Sequence, residues 1–425
     1  MPHGALHKPA SHDLRKQDQG DVSPAIQKIN ILRLTYGPHI HQRHVLVSSQ
    51  RKARGGMSDD EADPDLVALL RQSLGLATGS STTVPDTGVL KSAKYICDNA
   101  IDVSISHSGT KNAAETIWRL MQKKHYSTET WSTHELHPKS KDEATVNFIF
   151  TMNLLNFSFW SELPTSERFA IDYRGQMWTG YWSLVAALQR ALDEGHPITT
   201  PSFWLDQSVC PDDLISHIFR SATPEPIPLL DDRISILREA AKVLHQHFSN
   251  RPVNIITRAN HSAATLVNLL VEHFPNFRDT ATFHDRKVHL YKRAQILVAD
   301  LWACFNGTSY GTFTDIGSLT MFADYRIPQM LQGLHCLWYS PRLETRIARL
   351  QPLKPGEDME IEIRGCSIWC VELIRREIIR QHPEAKAKLN AVLIDFFLYD
   401  TCKELEARGE VDDMLPHHRT RSIFY

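Results

Sequence analysis

No stretch of the 425-residue sequence reaches the ~18 uninterrupted apolar residues of a membrane-spanning helix, and the N-terminal MPHGALHKPASHDLRK has no apolar core of a secretory signal. A soluble, cytoplasmic protein with no membrane contact is expected. Positive charge is not in excess either. The formal net charge is -2, so nothing selects a large polyanionic partner; a small-molecule substrate suits this balance, and no stable nucleic-acid complex is expected. Cysteine is sparse and poorly spaced for a metal: there are seven, and the closest pair, Cys366 and Cys370, has C-x3-C rather than C-x2-C spacing. Reduced, mostly buried thiols follow, with no metal and no cofactor. No period of about 20 to 50 residues repeats, which excludes a solenoid. A monomer is expected.

What is present divides at about residue 85. Residues 1–85 are rich in His, Gln, Ser, Gly and Asp, with RKARGGMSDDEADPD and ATGSSTTVPDTG, and are too polar to offset the entropy of ordering. They read as a disordered extension in which only Asp65 to Leu74 forms a short helix, and in which His39, His41 and His44 are solvated. From residue 86 to 425 the pattern is mainly helical. Helices are expected over Val89 to Asn99, Asn112 to Lys124, Lys141 to Leu155, Tyr181 to Glu194, Leu229 to Phe248 and Ser262 to Phe274. FAIDYRGQMWTG, turning at Arg174 and Gly175, and TFHDRKVHL read as hairpins, and MEIEIR alternates with period two like a strand. The fold class is mainly α with small β-hairpins. The Pro-rich SATPEPIPLL at residues 221–230 is the best boundary if the folded region has two lobes.

Carboxylates in apolar runs are the residues that call for chemistry. Asp395 and Asp400 bracket LIDFFLYD, Asp324 sits in TMFADYRIP, and Asp300 lies in the apolar helix YKRAQILVADLWACF. An ionised carboxylate removed from water costs several kcal/mol unless it is paired or hydrogen-bonded. At about 100° per residue Asp395 and Asp400 stand about 140° apart, so they face different sides of their helix, with Asp400 on the stripe of Leu389, Leu393 and Phe396. Pro328 suits the first turn of a helix, which places Asp324, Tyr325 and Arg326 on the loop entering it, where anions are readily met. In EIEIRGCSIWCVELIRR the pattern turns from alternating to helical at Arg364 and Gly365, with Ser367 as N-cap. Aromatics crowd LNFSFW and the hairpin near Tyr173, Trp178, Tyr181 and Trp182; they either pack the core or stack on a planar base.

The strings LNFSFW, YRG, GYWSL, RALDEG, YKRAQILVAD, TMFADYR, EIRGCSIWCVELIR and HRTRSIFY, in that order from about Lys91 to Tyr425, resemble the queuosine salvage family, the queuosine 5'-phosphate N-glycosylase/hydrolases. The resemblance implies hydrolysis of queuosine 5'-monophosphate to queuine and ribose 5-phosphate on a helical body similar to that of DNA glycosylases. It also implies a base pocket at His134 of HEL, Phe322 and Asp324 of MFAD, and Asp395 and Tyr399. With that ligand, Asp400 is expected at the sugar, as the carboxylate that steadies positive charge in the transition state, and Asp324 at the base. The 5'-phosphate needs cations, and Lys292, Arg326, Arg364, Arg419 and Arg421 are the candidates. Two other readings compete. A binding module for modified nucleotides or nucleic acid would need a basic face, and a helical scaffold would use its aspartates only to pair with buried arginines.

Overall fold

The computed structural model describes residues 85–425; the N-terminal extension, the helix expected at Asp65 to Leu74 and His39, His41 and His44 lie outside the described residues. The described chain runs α1 (Val89–Asn99), β1 (Val103–Ile105), α2 (His107–Lys123), α3 (Glu129–Thr133), α4 (Glu143–Leu155), the hairpin β2 (Ala170–Tyr173) and β3 (Gln176–Thr179), α5 (Tyr181–Asp193), α6 (Pro201–Leu205), α7 (Asp212–Ile218), α8 (Leu230–Phe248), α9 (Val253–Ala259) and α10 (Ala263–His273). It continues through the hairpin β4 (Thr280–Phe283) and β5 (Arg286–His289), α11 (Lys292–Cys304), α12 (Arg326–Gly333), β6 (Leu337–Tyr339), α13 (Pro341–Ala348), α14 (Asp358–Gln381) and α15 (Ala391–Ala407). Helices dominate, and the sheets are three antiparallel two-stranded pairs, one of which joins β1 to the distant β6.

Local chemistry sets these boundaries. Ser106, Asp142, Ser262 and Asn390 each accept a backbone N–H three residues on, and so cap α2, α4, α10 and α15. The β2–β3 hairpin turns at Arg174 and Gly175, both in the left-handed region (φ 53° and 74°), as a two-residue turn that matches strand twist requires. The segment at residues 221–230 lies within the same compact unit as the rest of the described chain, and Ala222 N–H bonds the Ala170 carbonyl at 2.8 Å.

α14 corrects the strand expected for MEIEIR. The alternation arises because this helix is buried nearly all round, so its glutamates find partners inside the protein instead of water. Glu362 accepts the N–H groups of Ile101, Asp102 and Val103 at 3.0, 2.6 and 3.0 Å, and Glu360 accepts the Tyr425 hydroxyl at 2.6 Å. Ser367 is not an N-cap: it lies in mid-helix and donates its hydroxyl back to the Ile363 carbonyl at 2.6 Å. Gly365 lets α1 approach, since a Cβ there would stand 2.5 Å from Ile96 Cγ2.

Candidate active site

A cavity of about 630 Å³ opens between α11, α12, α15, the segment around α3 and the start of α5. That volume lies in the range of small-molecule sites. α11 runs along it: Lys292, Ile296 and Asp300, four residues apart, all line it, so Lys292 and Asp300 are separated by about 12 Å along the helix axis. The helix starts where Asp279 Oδ2 accepts the Lys292 backbone N–H at 3.1 Å.

At the Lys292 end the cavity is rich in carboxylates. Lys292 is itself buried, and among the described residues its ammonium meets no hydrogen-bond acceptor; burial pulls its pKa down to about 8 against the opposing charge of Asp324. Asp324 Oδ1 accepts the N–H groups of Arg326 and Ile327 at 2.9 Å each. The start of α12, a natural anion position, is therefore filled by the protein's own carboxylate. Burial raises the Asp324 pKa, while Lys292 and the two backbone donors hold it down. Asp395 accepts the Phe322 N–H at 2.9 Å and is driven well above the usual carboxylate range, first by burial and then by the charge of Asp324. Asp395 is thus pushed toward its neutral form by burial and by Asp324, whereas Asp324 has Lys292 and two backbone donors to favour its charged form.

The faces of α15 differ from expectation. The deeply buried side is that of Asp395, shared with Ala391, Leu398 and Cys402. Phe396, Tyr399, Asp400 and Lys403 are half-buried and line the cavity together with Asp395. The cavity is wide enough to take in both edges of one broad helix face, so the two aspartates meet the same space despite their angular separation. Asp400 accepts the Tyr126 hydroxyl at 2.6 Å, and burial raises its pKa, as does the charge of Glu404.

The other end is aromatic. Trp131 stacks on His137 (centroids 3.7 Å, planes 17° apart) and His134 on Trp182 (3.3 Å, 13°). His137 Nδ1 lies 2.7 Å from the Trp131 carbonyl and Nε2 2.8 Å from the Tyr181 hydroxyl. Burial lowers its pKa to about 3, so the ring is neutral, donates from Nδ1 and accepts from Tyr181. His134 Nδ1 accepts the Leu136 N–H at 3.2 Å, which puts the proton of its neutral ring on Nε2. Asp300 closes this end, accepting from Trp131 Nε1 at 3.0 Å and Asn153 Nδ2 at 2.8 Å, and burial raises it to about 7.

Of the residues singled out in the sequence, His134, Lys292, Phe322, Asp324, Arg326, Asp395, Tyr399 and Asp400 line this cavity. Arg326 does so while pairing with Glu406 at 2.5 Å. Arg364, Arg419 and Arg421 do not line it. Arg364 is buried against Asp279 at 2.5 Å and donates to the Ala323 carbonyl at 3.0 Å. Arg419 and Arg421 flank Trp160 at 5.6 and 3.9 Å from its ring. Tyr126, Trp131, His137 and Tyr425 were not anticipated at the cavity. Single aromatics in apolar or mixed surroundings carry no signal that separates a cavity wall from a core.

Residues 136–425 match the family described as queuosine salvage protein. The chain is 44% identical over 349 residues to a protein of Schizosaccharomyces pombe, covering 79% of this chain and 99% of that protein. Against a mouse protein it is 42% identical, over 80% of this chain and 99% of the relative, and against one from Sphaerobacter thermophilus 40% identical, over 80% and 98%. All three relatives are named queuosine 5'-phosphate N-glycosylase/hydrolase.

Proposed function

Because the chain belongs to the queuosine salvage protein family, we propose that it hydrolyses queuosine 5'-monophosphate to queuine and ribose 5-phosphate in the cavity lined by Lys292, Asp324 and Asp395. The observation that carries this reading is a half-buried carboxylate, Asp324, fixed by two backbone N–H groups beside the buried Lys292 ammonium, which among the described residues meets no hydrogen-bond acceptor. Breaking the C1'–N bond builds positive charge on the sugar, and an ionised carboxylate held in a water-poor wall stabilises it without having to reorganise. Water supplies the new C1'–O bond, and the pair of electrons leaves with the base, which takes up a proton. A 7-deazapurine has no N7 to receive that proton, so stabilisation at the sugar matters more.

Asp324 fits this task better than Asp400, the residue expected at the sugar. Both are half-buried, but Asp324 is held by two backbone N–H groups and by the opposing charge of Lys292, whereas Asp400 accepts one hydroxyl, from Tyr126, and has the like charge of Glu404 near it. Asp395, whose pKa burial raises, is placed to donate to a base acceptor when it carries a proton, with Phe322 and Tyr399 around the ring. Lys292 and Arg326 are the cations for the 5'-phosphate, since both line the cavity. The protein acts as a cytoplasmic monomer on a small molecule; the net charge of -2 supports the absence of a nucleic-acid partner.

Incubating the purified chain with queuosine 5'-monophosphate should release queuine and ribose 5-phosphate in equal amounts by mass spectrometry; no release across pH 6 to 9 overturns the reading. Comparing the nucleoside with its 5'-phosphate separates the two cations. Arg326→Ala should cost about tenfold or more on the phosphate alone, whereas Lys292→Ala should lower turnover of both if its ammonium also serves Asp324.

A further inference from the structure

The aromatic end of the cavity is not needed to break a glycosidic bond, and its floor is unusual. Asp300 is buried to 4% exposure, yet among the described residues it has no cationic partner; its neighbours are the neutral donors Trp131 Nε1 and Asn153 Nδ2. A buried carboxylate without a counter-ion is costly, and here it borders open space instead of packed core. His137, the titratable group nearest in the stack, is neutral at ordinary pH and cannot serve as that counter-ion. The cations that line the cavity, Lys292, Arg326 and Lys403, come from the first turn of α11 and from α12 and α15, whereas the aromatic end is built from α3, the start of α5 and the later turns of α11.

We propose that the pocket walled by Trp131, His134, Tyr181 and Trp182 and floored by Asp300 binds the positively charged amine arm of the substrate base. This rests on the reading of the substrate given above. The base of queuosine is a 7-deazaguanine whose C7 carries an aminomethyl group, and its secondary amine is protonated near neutrality. An ammonium is recognised by aromatic faces and a carboxylate together. The two ends of α11 fit this division. Lys292, beside Asp324, lies at the sugar, and Asp300, about 12 Å further along the helix, lies where an arm extending from the far side of the base would arrive. The oxygens of Asp300 each have a further lone pair beyond the bonds to Trp131 and Asn153, so an arriving N–H is accepted without breaking either. His134, with its proton on Nε2, offers a donor in the same pocket for a hydroxyl of the arm. This pocket makes Asp300 a residue of specificity, not of bond cleavage.

The test compares kcat/KM for three substrates: queuosine 5'-monophosphate, the same nucleotide with its arm amine acetylated to a neutral amide, and 7-deazaguanosine 5'-monophosphate, which lacks the arm. The wild-type protein should prefer the charged arm over both others by about tenfold to a hundredfold, the worth of a hydrogen bond to a charged group. In Asp300→Asn that preference should shrink by about tenfold or more. If the wild-type protein cleaves all three equally, or if Asp300→Asn lowers all three by one common factor as a merely structural residue would, the proposal is wrong. The wild-type comparison stands even if the variant fails to fold. Release of no base from any of the three would instead sink the hydrolase reading itself.

Discussion

Lys292 is buried where an ammonium is disfavoured, and its lowered pKa, about 8, leaves it charged at neutral pH but within reach of titration. The charged form is present below that value and is lost as pH rises through it. If that charge keeps Asp324 ionised and receives the phosphate, kcat/KM should fall on the alkaline side with an apparent pKa near 8, because kcat/KM reports groups of the free enzyme. Lys292→Arg, which stays charged throughout this range, should remove that limb from the profile. An alkaline limb that persists unchanged in the arginine variant would show that another group titrates. The sequence made Asp324, Asp395 and Asp400 legible as residues in need of partners, because each interrupts an apolar run. It gave no way to rank them. That ranking depends on which oxygen is already committed, to Phe322, to Tyr126 or to the start of α12, and such bonds span residues far apart in the chain.

α14 shows where an element escapes its pattern. A period-two alternation marks a strand only if the polar positions face water, and in α14 both Glu360 and Glu362 are buried to 2% or less. Glu362 has three backbone N–H groups as partners, which tie α14 to the turn between α1 and β1. Glu362→Ala should strand those donors and destabilise the fold by about 3 kcal/mol or more, at about 1 kcal/mol or more for each donor left unsatisfied. Urea unfolding followed by circular dichroism measures this, and a loss under about 1 kcal/mol would mean that water replaces the carboxylate. Elsewhere the elements were legible. Hairpins β2–β3 and β4–β5 and helices α1, α5, α8 and α10 fall within a residue or two of expectation, because caps, turns and periodicity there agree with tertiary packing. The short pair of β1 and β6 was not legible: three residues per strand carry too little pattern, and the partners stand more than 200 residues apart.

At the scale of the molecule, the cavity is assembled from the segment near Tyr126, the start of α5, the length of α11, the loop before α12, α15 and the final Tyr425. Tyr425 bonds Glu360 through its hydroxyl and packs its ring on Arg364, and Arg364 in turn holds both Asp279, which anchors the start of α11, and the Ala323 carbonyl next to Asp324. The arginine that sequence reasoning offered to phosphate therefore serves to fix the two chain segments bearing Lys292 and Asp324. No window of sequence contains that relationship, whereas the family resemblance reached the same cavity through its motifs. Among the described residues no helix is long and apolar enough to cross a membrane. The proposed role of Asp324 in driving cleavage of the glycosidic bond depends on this whole assembly. It is tested most directly by following queuine release from queuosine 5'-monophosphate by the wild-type protein and Asp324→Asn side by side, with the thermal shift on ligand addition measured for both. Asp324→Asn should lose about two to three orders of magnitude in rate while retaining the ligand-induced rise in Tm. Turnover in the variant within a few-fold of the wild type would contradict that role.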